Sequence, residues 1–188
     1  MAFSSRSTKP RAPLNEAGLY DYAVKSLGRA MRTEAELRRL MHQRVEDGGA
    51  GEAVVDAVVA RLKEYDYLDD KSFAETYARL RHENQKLGQS RVRQDLQQKG
   101  VGAELIAQTL DARYANSDEE ALARQHLERK RIRKPENEKE TARVMRRLVA
   151  AGFSTKVIYR ILRQWDVPDE ALAALNDLDN LDEDPPTE

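Results

Sequence analysis

The sequence contains no cysteine. Disulfide scaffolds, zinc ribbons, iron–sulfur sites and thiolate nucleophiles are therefore excluded. Aromatic residues make up only 6% and there is one tryptophan, so stacked aromatic platforms for unpaired bases are not expected. No apolar run approaches the ~20 residues that cross a bilayer. The longest candidate, residues 53–60, is interrupted by Asp56. The first residues show no apolar stretch of the secretory kind, which leaves the cytoplasm as the expected location. The three histidines, His42, His82 and His126, are too far apart in sequence to form a helical metal pair and read as surface residues. His82-Glu83 opens like a metalloprotease motif, but Lys86 stands where the second histidine belongs. Gly48-Gly49-Ala50-Gly51 lacks the Lys-Ser/Thr ending of a phosphate loop. No cofactor, metal or catalytic set follows, and the chain reads as a non-enzyme.

What is present is charge, at 35% of 188 residues, with a net value of −1. That small total conceals segregation. Residues 1–80 hold 13 basic and 13 acidic side chains; residues 81–165 hold 19 and 11; residues 166–188 hold none and 9. A basic block followed by an acidic tail points to an anionic partner, with the tail able to compete for the block.

The hydrophobic period is helical almost throughout. Leu19, Tyr20, Ala23, Val24 and Leu27 form one stripe, Val54, Val55, Val58, Val59 and Leu62 another. Thr33 with Glu36 reads as a capping box. Asp69 or Asp70 should cap the helix carrying Phe73 and Tyr77, rather than form an acid–base pair. Ser90 should cap the next helix, which ends near Gly100, and residues 103–114 should form another. Asp118 should start the following helix. Residues 129–140 read as a loop, with helices at 141–151 and 155–165 and a short last one from Pro168 to Leu175.

Offset by 52 positions, two segments align without a gap. Arg91, Val92, Leu96, Gly100, Ile106 and Leu110 recur as Arg143, Val144, Leu148, Gly152, Ile158 and Leu162. The shared unit is helix, glycine turn, helix, with a looser copy earlier around Leu37 and Met41. Adding the helix before each pair gives an all-α fold of three tandem three-helix, helix-turn-helix-like repeats, forming an elongated and curved molecule. The expected division is a flexible arm at 1–14, repeats at 15–68, 69–116 and 117–168, and an acidic tail at 169–188. The candidate binding surface is the basic face of the later repeats: Arg91, Arg93, Lys99, Arg129, Lys130, Arg131, Arg143, Arg146, Arg147, Lys156, Arg160 and Arg163. Arginine predominates there, which suits bidentate contact with carboxylates or phosphates.

Tyr65-Asp66-Tyr67-Leu68-Asp69-Asp70, then Phe73-Ala74, Tyr77 and Arg81, resembles the signature of the RecX family. Glu36-Leu37 upstream, and Gly88, Leu96 and Lys99-Gly100 downstream, fit the same pattern. The resemblance runs from about Tyr20 to Trp165. It implies three tandem three-helix repeats and a protein partner, the filament of the bacterial recombinase RecA on DNA. It also implies limitation of strand exchange and coupled ATPase activity in recombinational repair and the SOS response. The first repeat departs from the family, with Val45-Glu46-Asp47-Gly48-Gly49 in place of a short turn. The expected partners are RecA and single- or double-stranded DNA without sequence preference, with no membrane and a monomeric protein. The rival reading is a stand-alone helix-turn-helix DNA-binding regulator.

Overall fold

The computed structural model describes residues 12–168. The expected arm before residue 12, the last helix running on from Pro168 and the acidic tail lie outside the described residues. Those described form nine α-helices and no strand: α1 (Glu16–Leu27), α2 (Glu34–His42), α3 (Gly49–Glu64), α4 (Asp70–Gln85), α5 (Gln89–Gln98), α6 (Ala103–Tyr114), α7 (Glu119–Arg129), α8 (Glu138–Ala150) and α9 (Thr155–Gln164). No described helix is long and apolar enough to cross a membrane.

Side-chain caps set most of the helix starts. Asn15 accepts from the Gly18 amide, and Asp118 accepts from the Glu120 and Ala121 amides. Thr33 and Glu36 make the reciprocal box that their spacing predicts, worth ~1 kcal/mol in typical proteins. The adjacent aspartates divide their work. Asp69 accepts from the Lys71 amide at the head of α4, whereas Asp70 accepts from the Glu34 amide at the head of α2, each at 2.8 Å. One dipeptide thus satisfies orphan donors of two helices.

Three starts differ from expectation. Helix α5 begins at Gln89, so Ser90 lies inside it; Val92 N–H donates to Gly88 C=O instead (3.4 Å). Helix α8 begins at Glu138, three residues earlier than expected. Asn137 accepts from the Glu140 amide, and Glu140 returns a bond to the Glu136 amide. That Asn-x-x-Glu pattern sat inside a stretch that reads as loop because Pro135 precedes it. Gly49 and Gly51, residues that ordinarily break a helical pattern, form the first turn of α3, after Gly48 at φ 105°.

The described chain gathers into two compact units. Unit 1 comprises residues up to Phe73 together with Lys99–Val101; unit 2 comprises Ala74–Gln98 and the residues from Gly102 onward. In unit 1, α1, α2 and α3 pack on one another around Leu19, Leu37, Met41, Val55, Val58 and Leu62, all with no exposed surface. In unit 2, α5 packs on α6, and α9 packs on both α7 and α8. Leu148, Ile158, Ile161 and Leu162 are fully buried there.

The 52-residue offset is visible in the backbone. Shifted by 52, the end of α5 falls on the end of α8 and the start of α6 on the start of α9. Gly100 and Gly152 take left-handed φ values of 79° and 86°, which L side chains resist. Both turns also serve as docking points. In unit 1, Thr33 Oγ1 donates to the Lys99 carbonyl (2.5 Å), and a Cβ on Gly100 would lie 2.4 Å from Ala35 Cβ. In unit 2, Gly88 N–H donates to the Ala151 carbonyl (2.9 Å), and a Cβ on Gly152 would lie 2.2 Å from the Arg91 backbone nitrogen. Each glycine turn therefore seats on the first turn of a helix far away in sequence, α2 in one case and α5 in the other.

Candidate functional site

Helix α8 buries Thr141, Val144, Met145 and Leu148, so Arg143, Arg146 and Arg147 project from its other side and are exposed. Helix α9 buries Val157, Ile158, Ile161 and Leu162 and turns Lys156, Arg160 and Arg163 outward. Arg129 ends α7, with Lys130 and Arg131 immediately after it; Arg131 takes φ 52° in the helix-ending turn. Arg91 and Arg93 sit on α5. Eleven of the twelve expected cations thus lie in unit 2. Lys99 is in unit 1, where it bonds Glu36 (2.8 Å) and lies over the Phe73 ring.

Three of the twelve, Arg91, Lys130 and Arg147, come together around a groove of about 580 Å³. A fourth cation, Arg81 of α4, joins them. The reading of charge along the sequence missed it and its neighbours. Asp95, 8% exposed, is the hub: Arg91 Nε meets it at 2.9 Å, Arg81 Nε at 3.8 Å, and the Tyr77 hydroxyl donates to it at 3.0 Å. Arg81 also donates to the Tyr77 oxygen (2.6 Å) and to Gln85 (2.6 Å). The i, i+4 spacings Tyr77/Arg81 and Arg91/Asp95 were legible as helix-surface pairs; the meeting of α4 with α5 was not. Burial, opposed by the Arg81 bond and reinforced by Asp95, pushes the Tyr77 hydroxyl up from its ordinary value, so it stays a donor at neutral pH.

Other cations lie elsewhere. Lys156, Arg160 and Arg163 line a second depression of about 560 Å³ on α9. There Glu120 accepts from Arg124 (2.9 Å), Arg160 (3.1 Å) and Gln164 (3.2 Å). The Arg160 bond heads the contacts that hold the Glu120 carboxyl below its ordinary value. Arg129 borders a third hollow with Glu83 and Lys86. Arg143 and Arg146 line none of these. Arg143, Arg146, Arg147, Lys130 and Lys156 carry no ion pair to a described residue.

Two of the three histidines differ from their expected surface placement. His42 is exposed, His82 is half-buried, and His126 is buried on the edge of Phe153, with Nδ1 3.2 Å from the Gln85 carbonyl. Burial lowers the pKa of both His82 and His126. Among the described residues no group of three or more His, Asp or Glu side chains could hold a metal ion.

The description "RecX, second three-helix domain" matches residues 69–110. The regulatory protein RecX of Geobacillus kaustophilus is 32% identical over 145 residues, which are 76% of this chain and 52% of that protein. The chain thus spans about half the length of that curated relative. The regulatory protein RecX of Thermobifida fusca is 31% identical over 144 residues, 75% of each chain. A solved structure, the crystal structure of regulatory protein RecX, superposes with a TM-score of 0.62 at 24% identity, covering 79% of this chain and 71% of that one; it shares the all-helical fold. With the helical order, the glycine-turn geometry and a relative matched over three quarters of its length, the chain belongs to the RecX family.

Proposed function

We propose that this protein binds the RecA filament on DNA and limits RecA's strand exchange and coupled ATPase activity, in the cytoplasm, as a monomer and without a cofactor. The chain is divided, on this reading, into three-helix repeats at 15–68, 69–116 and 117–168. The observation that carries the proposal is the set of unpaired cations in unit 2. Arg143, Arg146 and Arg147 stand exposed along α8, and Lys130 follows α7, while the nearby carboxylates Asp95 and Glu120 are already engaged. Like charges three and four apart repel by a few tenths of a kcal/mol each, so such a row is favoured only against an anionic partner. DNA phosphates and acidic protein surface are both available on a nucleoprotein filament.

Replacing Arg143, Arg146 and Arg147 together by glutamate is expected to leave helicity unchanged and to abolish inhibition of RecA's DNA-dependent ATPase. Undiminished inhibition would overturn the placement. Where these arginines meet phosphates, affinity for the filament falls steeply with salt, and the triple variant loses about three units of the log–log slope. Tight, sequence-selective duplex binding in the absence of RecA would favour the stand-alone regulator instead.

A further inference from the structure

The groove of unit 2 has a property that a simple phosphate-binding surface does not need. Exposed cations Arg91, Lys130 and Arg147 line it together with the aliphatic side chains of Leu87, Ile132, Ala150 and Ala151, beside the buried Asp95 and His126. Asp95 engages Arg81 and Arg91, which leaves Lys130 and Arg147 without an ion pair. A phosphodiester backbone meets protruding cations and gains nothing from buried methyl groups. A peptide carrying both carboxylates and aliphatic side chains would use the cations and the aliphatic side chains together.

That composition occurs in this chain. Residues 177–184 read Asp177-Leu178-Asp179-Asn180-Leu181-Asp182-Glu183-Asp184, five carboxylates and two leucines, and no Lys or Arg follows Arg163. The segment is also tethered close by. Val167 is buried in the same apolar cluster against which Leu87 and Ile132 pack. Nine residues separate Val167 from Asp177, a reach of up to ~35 Å over ten residue steps, whereas a body of ~100 residues has a radius of gyration of ~13 Å. A tether of that length gives roughly millimolar effective concentration, so individually weak contacts suffice for occupancy.

We propose that residues 177–184 occupy the groove of their own chain, with Leu178 and Leu181 against Leu87, Ile132 and Ala151 and the acidic side chains on Lys130 and Arg147. An external anionic partner must then displace this segment to reach those two cations.

The test uses the isotopically labelled full chain and nuclear magnetic resonance, without RecA. One variant replaces Asp177, Asp179, Asp182, Glu183 and Asp184 by Asn or Gln; a second keeps those charges and replaces Leu178 and Leu181 by serine. Both are expected to shift the signals of Lys130, Ile132 and Arg147 and to leave those of α1 to α3 in place. A synthetic peptide of residues 174–186, added to the first variant, should restore the original positions and bind roughly tenfold more weakly when Arg147→Glu is also present. Unchanged groove signals in the first variant would overturn the proposal. So would a response to the charge variant alone, which would reduce the effect to diffuse electrostatics. Peptide binding in trans with no change in cis, or wild-type shifts that vanish on dilution, would assign the groove to another chain's segment and overturn it equally. Because no outcome involves RecA, failure here is separable from failure in the ATPase assay.

Discussion

In unit 1 a network of carboxylates and cations is matched around α2. Glu34 holds Arg38 and Lys63, Arg38 also reaches Asp56, and Glu36 holds Lys99. In unit 2 three carboxylates each serve two cations: Asp95 serves Arg81 and Arg91, Glu83 serves Arg79 and Arg113, and Glu120 serves Arg124 and Arg160, while Asp166 takes Lys134 alone. The α8 arginines and Lys130 are left over. Both units use the same device of a glycine turn seated on a helix start. They differ in that unit 2 sets three exposed, unpaired arginines, Arg143, Arg146 and Arg147, on one helix. The unpaired row along α8 is not a consequence of the repeat pattern as such, since Arg91 and Arg143 are repeat-equivalent yet only Arg91 is paired.

The two glycine turns give the largest expected effects. Ala at a left-handed φ costs ~1–2 kcal/mol, and overpacking adds ~1–3. Gly152→Ala meets backbone, the Arg91 nitrogen, which cannot be trimmed away; a loss of ~3–4 kcal/mol in urea denaturation is expected. Gly100→Ala meets only the Ala35 methyl at 2.4 Å, the next atom lying at 3.9 Å. Its loss should be nearer ~2 kcal/mol, and Ala35→Gly in the same chain should recover part of it in a double-mutant cycle. Equal losses at the two turns, or no coupling between positions 35 and 100, would break the distinction between a backbone wall and a side-chain wall.

A middle-sized effect tests the charge hubs. Asp95→Asn removes a nearly buried carboxylate from beneath Tyr77, Arg81 and Arg91 and is expected to cost ~2 kcal/mol. Glu34→Gln, at a side chain 25% exposed and paired to the half-exposed Lys63, should cost ~1 kcal/mol or less. The reverse order would mean that unit 1 depends on its ion pairs more than unit 2 depends on Asp95.

The helices and the repeat were legible because helical periodicity and caps are local. Thr33/Glu36, Asn15 and Asp118 act within four residues of themselves, and the 52-residue offset needed only identity and glycine placement. Helix starts without a prominent cap were misplaced by one to three residues, as at Ser90, where the amide partner is a backbone carbonyl, and at Asn137, where a nearby proline obscured the cap. The candidate surface was legible as a list of charges but not as an arrangement. Spacing along α5 and α8 tells which arginines share a helix face. It does not tell that Arg91, Lys130 and Arg147 converge with Arg81, because that depends on how four helices meet. Nor does composition distinguish a spent cation such as Lys99 from an unpaired one such as Arg147. Burial of His126 was missed for the same reason: its partners, Phe153 and the Gln85 carbonyl, are distant in sequence.

The smallest expected effect is a pH dependence that separates the units. Burial lowers the pKa of His126, and the charges of Lys130 and Arg129 act in the same direction, against the Gln85 and Lys86 carbonyls. His82 is lowered by burial and by Arg113 and Lys86, against Glu83. A base whose folded pKa lies below its ordinary 6.5 binds fewer protons folded than unfolded, so stability rises with pH in that window. The contribution is complete above pH 6.5 and declines as pH falls from there through the folded value. The shifted carboxylates of unit 1 titrate lower on the scale and are opposed in sign. Burial raises Asp70 from 3.8, partly countered by the Glu34 amide, so its contribution is lost as pH rises through the raised value. Burial also pulls Glu34 upward from 4.5, but its bonds to Lys63 and Arg38 reverse this, so its contribution is lost as pH falls. Between pH 7 and 5 the histidines of unit 2 therefore set the slope. Urea midpoints across that range should fall for the wild type and fall less for His126→Gln. An identical decline in the variant would remove His126 from the account and leave the window to His82.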